Sequence, residues 1–195
     1  MPVTKPPSDW LRTDETEDIA SSIRHALRCR DNAASDKHEW KWFALSIHSA
    51  LQGTLVTHLT TTASPVGAVT DSCAVAWLTH FKEGGTAPKT TLLPFTDLMK
   101  KARKDGHCGG GSSYPRLQIT EGEFQWLKRF HNDVRNQFTH FEPMGWSLEL
   151  SGMSPIGALA ARLIHNAIDA GWAFRNAKRE TLIELQANLK LLQDV

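Results

Sequence analysis

The stretch SDKHEWKWFALSIHSALQGTLVTHL, Ser35 to Leu59, decides the fold. Trp40, Phe43, Ala44, Ile47, Leu51, Leu55 and Leu59 recur at three- and four-residue spacing. That spacing stacks side chains along one face of an α-helix and leaves the other face polar. Ser35 or Asp36 is placed to cap its start. Gly53 weakens the helix, by about 1 kcal/mol relative to alanine, without breaking it. A helix this long with one apolar face needs other elements to cover that face.

The same periodicity returns on both sides. A first helix is expected after Asp14, where Asp14 and Glu17 have capping-box spacing and Ile19, Ile23, Ala26, Leu27 and Arg30 share a face. Downstream, 60–70 reads as a linker. A short helix over 71–82 is expected, with Asp71 as cap and Cys73, Ala74, Trp77, Leu78 and Phe81 inward. PFTDLMKKARK, opened by Pro94, reads as another short helix with a basic end. DGHCGGGSSYPR holds too much glycine for regular structure. Thr120 and Glu123 form a second capping box, starting a helix that carries Phe124, Leu127, Phe130, Val134 and Phe138 inward to about Phe141, before Pro143. GWSLELSG alternates like a short extended segment.

Ser154, with Pro155 after it, is expected to cap a final long helix with Ile156, Leu159, Ala160, Leu163, Ile164, Ala167, Ile168 and Gly171 on one face. A stripe of Leu182, Leu185, Leu189 and Leu192 either continues it or follows a bend near 176. Strand patterns are nearly absent and no repeat is visible. The fold class expected is all-α: a multi-helix bundle with short inserted helices and loops, forming one domain over 14–195 behind a Pro-rich, disordered segment at 1–13.

Composition narrows the function. The 195 residues carry 22 Lys and Arg against 21 Asp and Glu, a net charge of +1, and 41% are apolar. A general electrostatic nucleic-acid binder is expected to be strongly basic, so any such contact here is local. Three cysteines without a CxxC pair argue against a zinc or disulfide framework. MPVTKPPSDW has neither a basic n-region nor an apolar h-region, and no stretch is apolar enough to span a bilayer. A soluble cytoplasmic protein, with no membrane contact, is the expectation.

One motif stands out at a helix end. In VRNQFTHFEP, 134–143, Arg135 is followed directly by Asn136 and, five positions on, by His140. Arg-Asn with a histidine at this distance arises by chance about 0.05 times in a chain of this composition. RNAKRE at 175–180 repeats the Arg-Asn pair with no histidine following, so the histidine is the informative member. Five positions turn roughly 140° about a straight helix, so Arg135 and His140 are not neighbours on one face, whereas Asn136 and His140 are. Both reach one phosphate only if the helix end distorts or a second copy contributes across a twofold seam. The plainer alternative is that Arg135 pairs with an acid and His140 caps the helix C-terminus, where a cation is favoured.

With this motif near the end of a central helix, and with HEWKWFALSIHSALQG early in the chain, the sequence resembles the HEPN superfamily over roughly 15–195. Only the short motif is specific. Many HEPN proteins are ribonucleases that need no metal, often toxins or antiviral effectors, and act as dimers with both motifs facing one cleft. The resemblance therefore implies a homodimer, an RNA substrate, an antitoxin partner, no cofactor, and a catalytic set of Arg135, Asn136 and His140. A histidine would move protons and an arginine would hold the phosphate. Some HEPN toxins carry a tyrosine two places after the histidine, where a partner modifies it; Glu142 stands there in this chain, a departure from that pattern.

Lys100, Lys101, Arg103 and Lys104 form the one local basic cluster and a candidate RNA-backbone contact, against the reading of a solvated helix end. His48, His58 and His131 fall near apolar stripes at no zinc-binding spacing and read as core or boundary residues. Trp42 and Trp126 fall off the stripes and suggest a dimer or subdomain contact.

Overall fold

The computed structural model describes residues 10–60, 66–105, 115–140, 143 and 145–194. Within them the chain is all-α: α1 (Glu15–Asn32), α2 (Glu39–Leu59), α3 (Asp71–Glu83), α4 (Phe95–Ala102), α5 (Glu121–Arg129), a π-helical turn (Phe130–Arg135), α6 (Asn136–Thr139), α7 (Met153–Asp169) and α8 (Arg179–Gln193). The segment 1–9 and the glycine-rich stretch 106–114 lie outside the described residues.

α2 is the centre of the bundle. It packs against α1, α4, α7 and the π turn, while α8 lies against α1 and α7. Phe43, Ala44, Ile47, Leu51, Leu55 and Leu59 are fully buried, and Trp40 packs edge-on against Phe43 at 5.1 Å. Each large side chain so buried contributes about 1.5–3 kcal/mol. Gly157 lets α7 approach: a Cβ there would sit 2.7 Å from Phe43 Cζ. Gly53 plays a milder version of the same part against Ile19 of α1.

The ends of the helices correct several expectations. Asp14 caps α1, its Oδ1 accepting from the Glu17 N–H at 2.9 Å. The Glu17 carboxylate turns instead to α8, accepting from Thr181 Oγ1 at 3.0 Å and Lys178 Nζ at 3.2 Å. Neither Ser35 nor Asp36 caps α2. Ser35 Oγ donates to Asn32 O and Asp36 Oδ1 accepts from the His38 N–H, so both serve the turn between α1 and α2, and the helix begins at Glu39. α7 starts at Met153, not after Ser154; Pro155 still falls in its first turn, where the missing N–H has no helical partner to lose.

The stripe of α3 points largely outward. Only Cys73 is buried; Leu78 is 47% and Phe81 48% exposed. An antiparallel bridge between Val69 and Leu92 closes the segment that carries α3, and the helix forms no extensive helix–helix interface among the described residues. Its apolar spacing is therefore real but largely uncovered among the described residues. Residues 145–150 run without regular structure, with Leu148 and Leu150 against the core.

α7 and α8 are separate. The chain turns over 170–178 through Gly171, whose φ of +70° is open to glycine and strained for other residues. Leu185, Leu189 and Leu192 of α8 are buried, and Leu182 is partly so. None of the described helices is long and apolar enough to cross a membrane.

Candidate functional site

The helix bearing the motif is anchored at its start. Thr120 and Glu123 make the reciprocal capping box at the head of α5, and Glu123 Oε1 also accepts from Arg162 Nη2 of α7 at 2.7 Å. Nine residues on, the helix changes register. Asn136 N–H bonds to His131 O, five residues back, and Phe130–Arg135 form a π turn. The expected continuous helix is thus interrupted, and it ends at Thr139. The wider turn carries one extra residue, a device common at functional sites, and it re-aims every side chain after it.

Phe130 enters the core beside this turn while His131 reaches α2. The Nδ1 of His131 lies 2.8 Å from Nε2 of His48, so one ring donates and the other accepts. Phe95, at the start of α4, packs on both rings, 4.4 Å from His48 and 5.0 Å from His131 by centroid. His48 is 3% exposed. Burial, then His131, then the Arg135 charge push its pKa down to about 3. Burial and Arg135 lower His131 as well. Both imidazoles are neutral near pH 7.

Arg135 closes this group. Its Nη1 donates to Asn136 Oδ1 at 3.0 Å, and among the described residues no carboxylate lies within ion-pairing distance of it. Thr139 Oγ1 donates to Arg135 O at 3.0 Å, holding the last turn. Arg135 and Thr139 line a cleft of about 700 Å³ with His48, Ser49 and Gln52 of α2 and with Asp14, Glu15 and Asp18 at the start of α1. The cleft is electrostatically mixed: one guanidinium faces the carboxylates of α1.

Arg135 and Asn136 are joined by a side-chain hydrogen bond, whereas the bond recorded between His140 and Asn136 is through the backbone. His140 ends α6 with φ −120° and ψ 73°, its N–H bonded to Asn136 O at 2.8 Å, its side chain exposed and outside the described lining of the cleft. The second Arg-Asn pair has a structural use: the Arg175 guanidinium stacks on Trp172 at 4.0 Å and donates to Trp172 O at 2.9 Å.

Two members of the basic cluster are paired with acids. Lys100 meets Asp97 at 2.9 Å, and Arg103 meets Glu121 at 3.0 Å while lying over the Phe124 ring. Lys101 is half-buried and Lys104 exposed. His58, like His48, is buried in α2. Trp126 packs against the core, and Trp42 is about half exposed. Among the described residues no three His, Cys, Asp or Glu side chains gather as a metal-binding group.

Sequence reasoning placed His48 and His131 near apolar faces and did not pair them. They are 83 positions apart and meet only because the π turn packs on α2. No family model, curated protein or solved structure matches this chain.

Proposed function

We propose that this protein is a metal-independent endoribonuclease of HEPN type, a toxin or defence effector that works as a homodimer. The observation that carries this reading is Arg135: a half-buried guanidinium at the wall of a cleft, aligned by Asn136 and without a carboxylate partner among the described residues. Such a group is preorganised for a phosphodiester.

The chemistry is transesterification. The RNA 2′-oxygen forms a bond to the adjacent phosphorus and the bond to the 5′-oxygen breaks, leaving a 2′,3′-cyclic phosphate and a 5′-hydroxyl. One His140 takes the 2′-hydroxyl proton, and a second, protonated, gives a proton to the departing oxygen. Arg135 holds the charge that builds on the phosphoryl oxygens. Within one protomer His140 is exposed and outside the described lining of the cleft, so the reading has the helix end of a second copy beside the first.

A second reading is a non-catalytic HEPN-like module that binds a nucleotide, RNA or a protein. Asp14, Glu15 and Asp18 favour its protein-binding form, because they line the cleft with Arg135 and repel the phosphates of RNA or a nucleotide. An RNA cleavage assay in EDTA on wild type and His140→Ala decides. The nuclease reading expects cleavage by the wild type that the substitution abolishes. Cleavage by both proteins, or by neither, removes it.

A further inference from the structure

Phe138, one residue before the cleft-lining Thr139, belongs to a second pocket of about 450 Å³. Trp40 and Trp146 provide its other aromatic walls, and Lys37, His38 and Lys41 stand on its rim. We propose that this pocket is a subsite for an unstacked nucleobase of single-stranded RNA, with a flanking phosphate on Lys37.

Three observations converge on that ligand. The aromatic surfaces are braced from within: Trp146 meets Phe138 edge-to-face at 4.9 Å, and Trp40 meets Phe43 the same way at 5.1 Å. Trp146 nonetheless remains 39% exposed, a large indole held in place with surface to spare. Flat π-faces of this kind take any base, and single-stranded RNA offers bases free to leave the stack.

The second observation is charge. None of the described lining side chains is acidic, while two are lysines. The Arg135 cleft, by contrast, carries three carboxylates. By charge, the described lining of the aromatic pocket suits an anionic chain better than that of the Arg135 cleft. The third is position: Phe138 lies on the short helix that begins at Asn136 and is capped by His140, so a base seated here brings its own backbone close to the motif. The choice of RNA rests on the nuclease reading above; the stacking chemistry does not.

The probe is a 5′-fluorescein single-stranded decamer with 2′-O-methyl sugars, which binds without being cleavable at its 2′-oxygens, followed by fluorescence anisotropy on the full-length chain. Wild type binds it. Trp146→Leu, which keeps apolar volume but has no π-face, weakens binding about tenfold, and Trp146→Phe restores most of it. Lys37→Gln lowers the salt dependence of binding. A duplex decamer, whose bases stay stacked, binds less tightly than the single strand.

Equal affinity of wild type and Trp146→Leu overturns the proposal, as does absence of binding by the wild type. So does sedimentation showing that Trp146→Leu dissociates a dimer at unchanged RNA affinity, which assigns the pocket to a second copy. Cleavage of unmodified RNA separates the two claims. If Trp146→Leu cleaves with unchanged KM, the subsite falls and the nuclease stands. If wild type binds through Trp146 and cleaves nothing, the subsite stands and the nuclease falls.

Discussion

His48 Nε2 and His131 Nδ1 stand 2.8 Å apart against the Phe95 ring and hold the π turn against α2. One hydrogen bond between neutral rings thus fixes the segment that aims Arg135. The pair is also a pH-dependent element of stability. In the folded state His48 titrates near 3 and His131 below its ordinary value; in the unfolded chain both titrate near 6.5. The unfolded state binds more protons between those limits. Stability from the pair is therefore complete above pH 6.5 and declines as pH falls toward 3. The His48 contribution falls by up to about 1.4 kcal/mol per pH unit. Urea unfolding at pH 7.0, 6.0 and 5.0 measures it. The double variant His48→Leu, His131→Leu should show a shallower decline, and parallel declines would refute the assignment.

Arg135 tests the catalytic geometry. Arg135→Ala should reduce RNA cleavage in EDTA by about 10²-fold or more, because the developing phosphoryl charge loses its fork of donors. Arg135→Lys keeps the charge but not the planar fork, and should recover only part of the rate. Thermal midpoints within a few degrees of wild type would show that the loss is chemical. A rate unchanged in Arg135→Ala would remove this residue from the mechanism.

Gly157 tests the packing of α7 on α2. A methyl group there overlaps Phe43 Cζ, the far end of a fully buried ring that must shift to admit it. Gly157→Ala should destabilise by about 1–3 kcal/mol despite its better helix propensity. Adding Phe43→Leu should cost less in that background than in wild type, a coupling that a double-mutant cycle reads directly. Additive effects would mean the two do not collide.

Glu123 closes the capping box of α5 and binds Arg162 of α7. Thr120→Ala removes the cap alone and should destabilise by about 1 kcal/mol. Glu123→Ala removes both contacts and should destabilise more. Chemical denaturation of the two variants ranks them, and the reverse order would show that the Arg162 contact adds nothing.

Much of the bundle was legible from local spacing. The faces of α1, α2 and α7 follow from apolar residues every three or four positions, and Asp14 and Thr120 cap because a side-chain oxygen three residues from an N–H needs no tertiary help. The failures share a cause. Leu78 and Phe81 follow the same periodicity as Leu51 and Leu55, yet stay half exposed, since spacing states that a face is apolar and not that anything covers it. Ser35 and Asp36 have capping chemistry, but the tight turn from Asn32 claims it first.

The candidate site divides the same way. Arg135, Asn136 and His140 were visible as residue types at a spacing. Their arrangement, with Arg135 lining the cleft and His140 outside its described lining, was not, because it depends on the π turn. That turn has no local signature; His131 reaches α2, Phe130 enters the core, and the backbone accommodates both.

The sequence by itself determined an all-α chain, the buried face of its central helix and a polar motif near a helix end. Helix formation and amphipathicity are set by residues within a few positions of one another. The tertiary structure alone decided which apolar faces are covered, which histidines meet and where Arg135 points. Those outcomes come from contacts between residues as distant as 48 and 131, whose energy no local window contains.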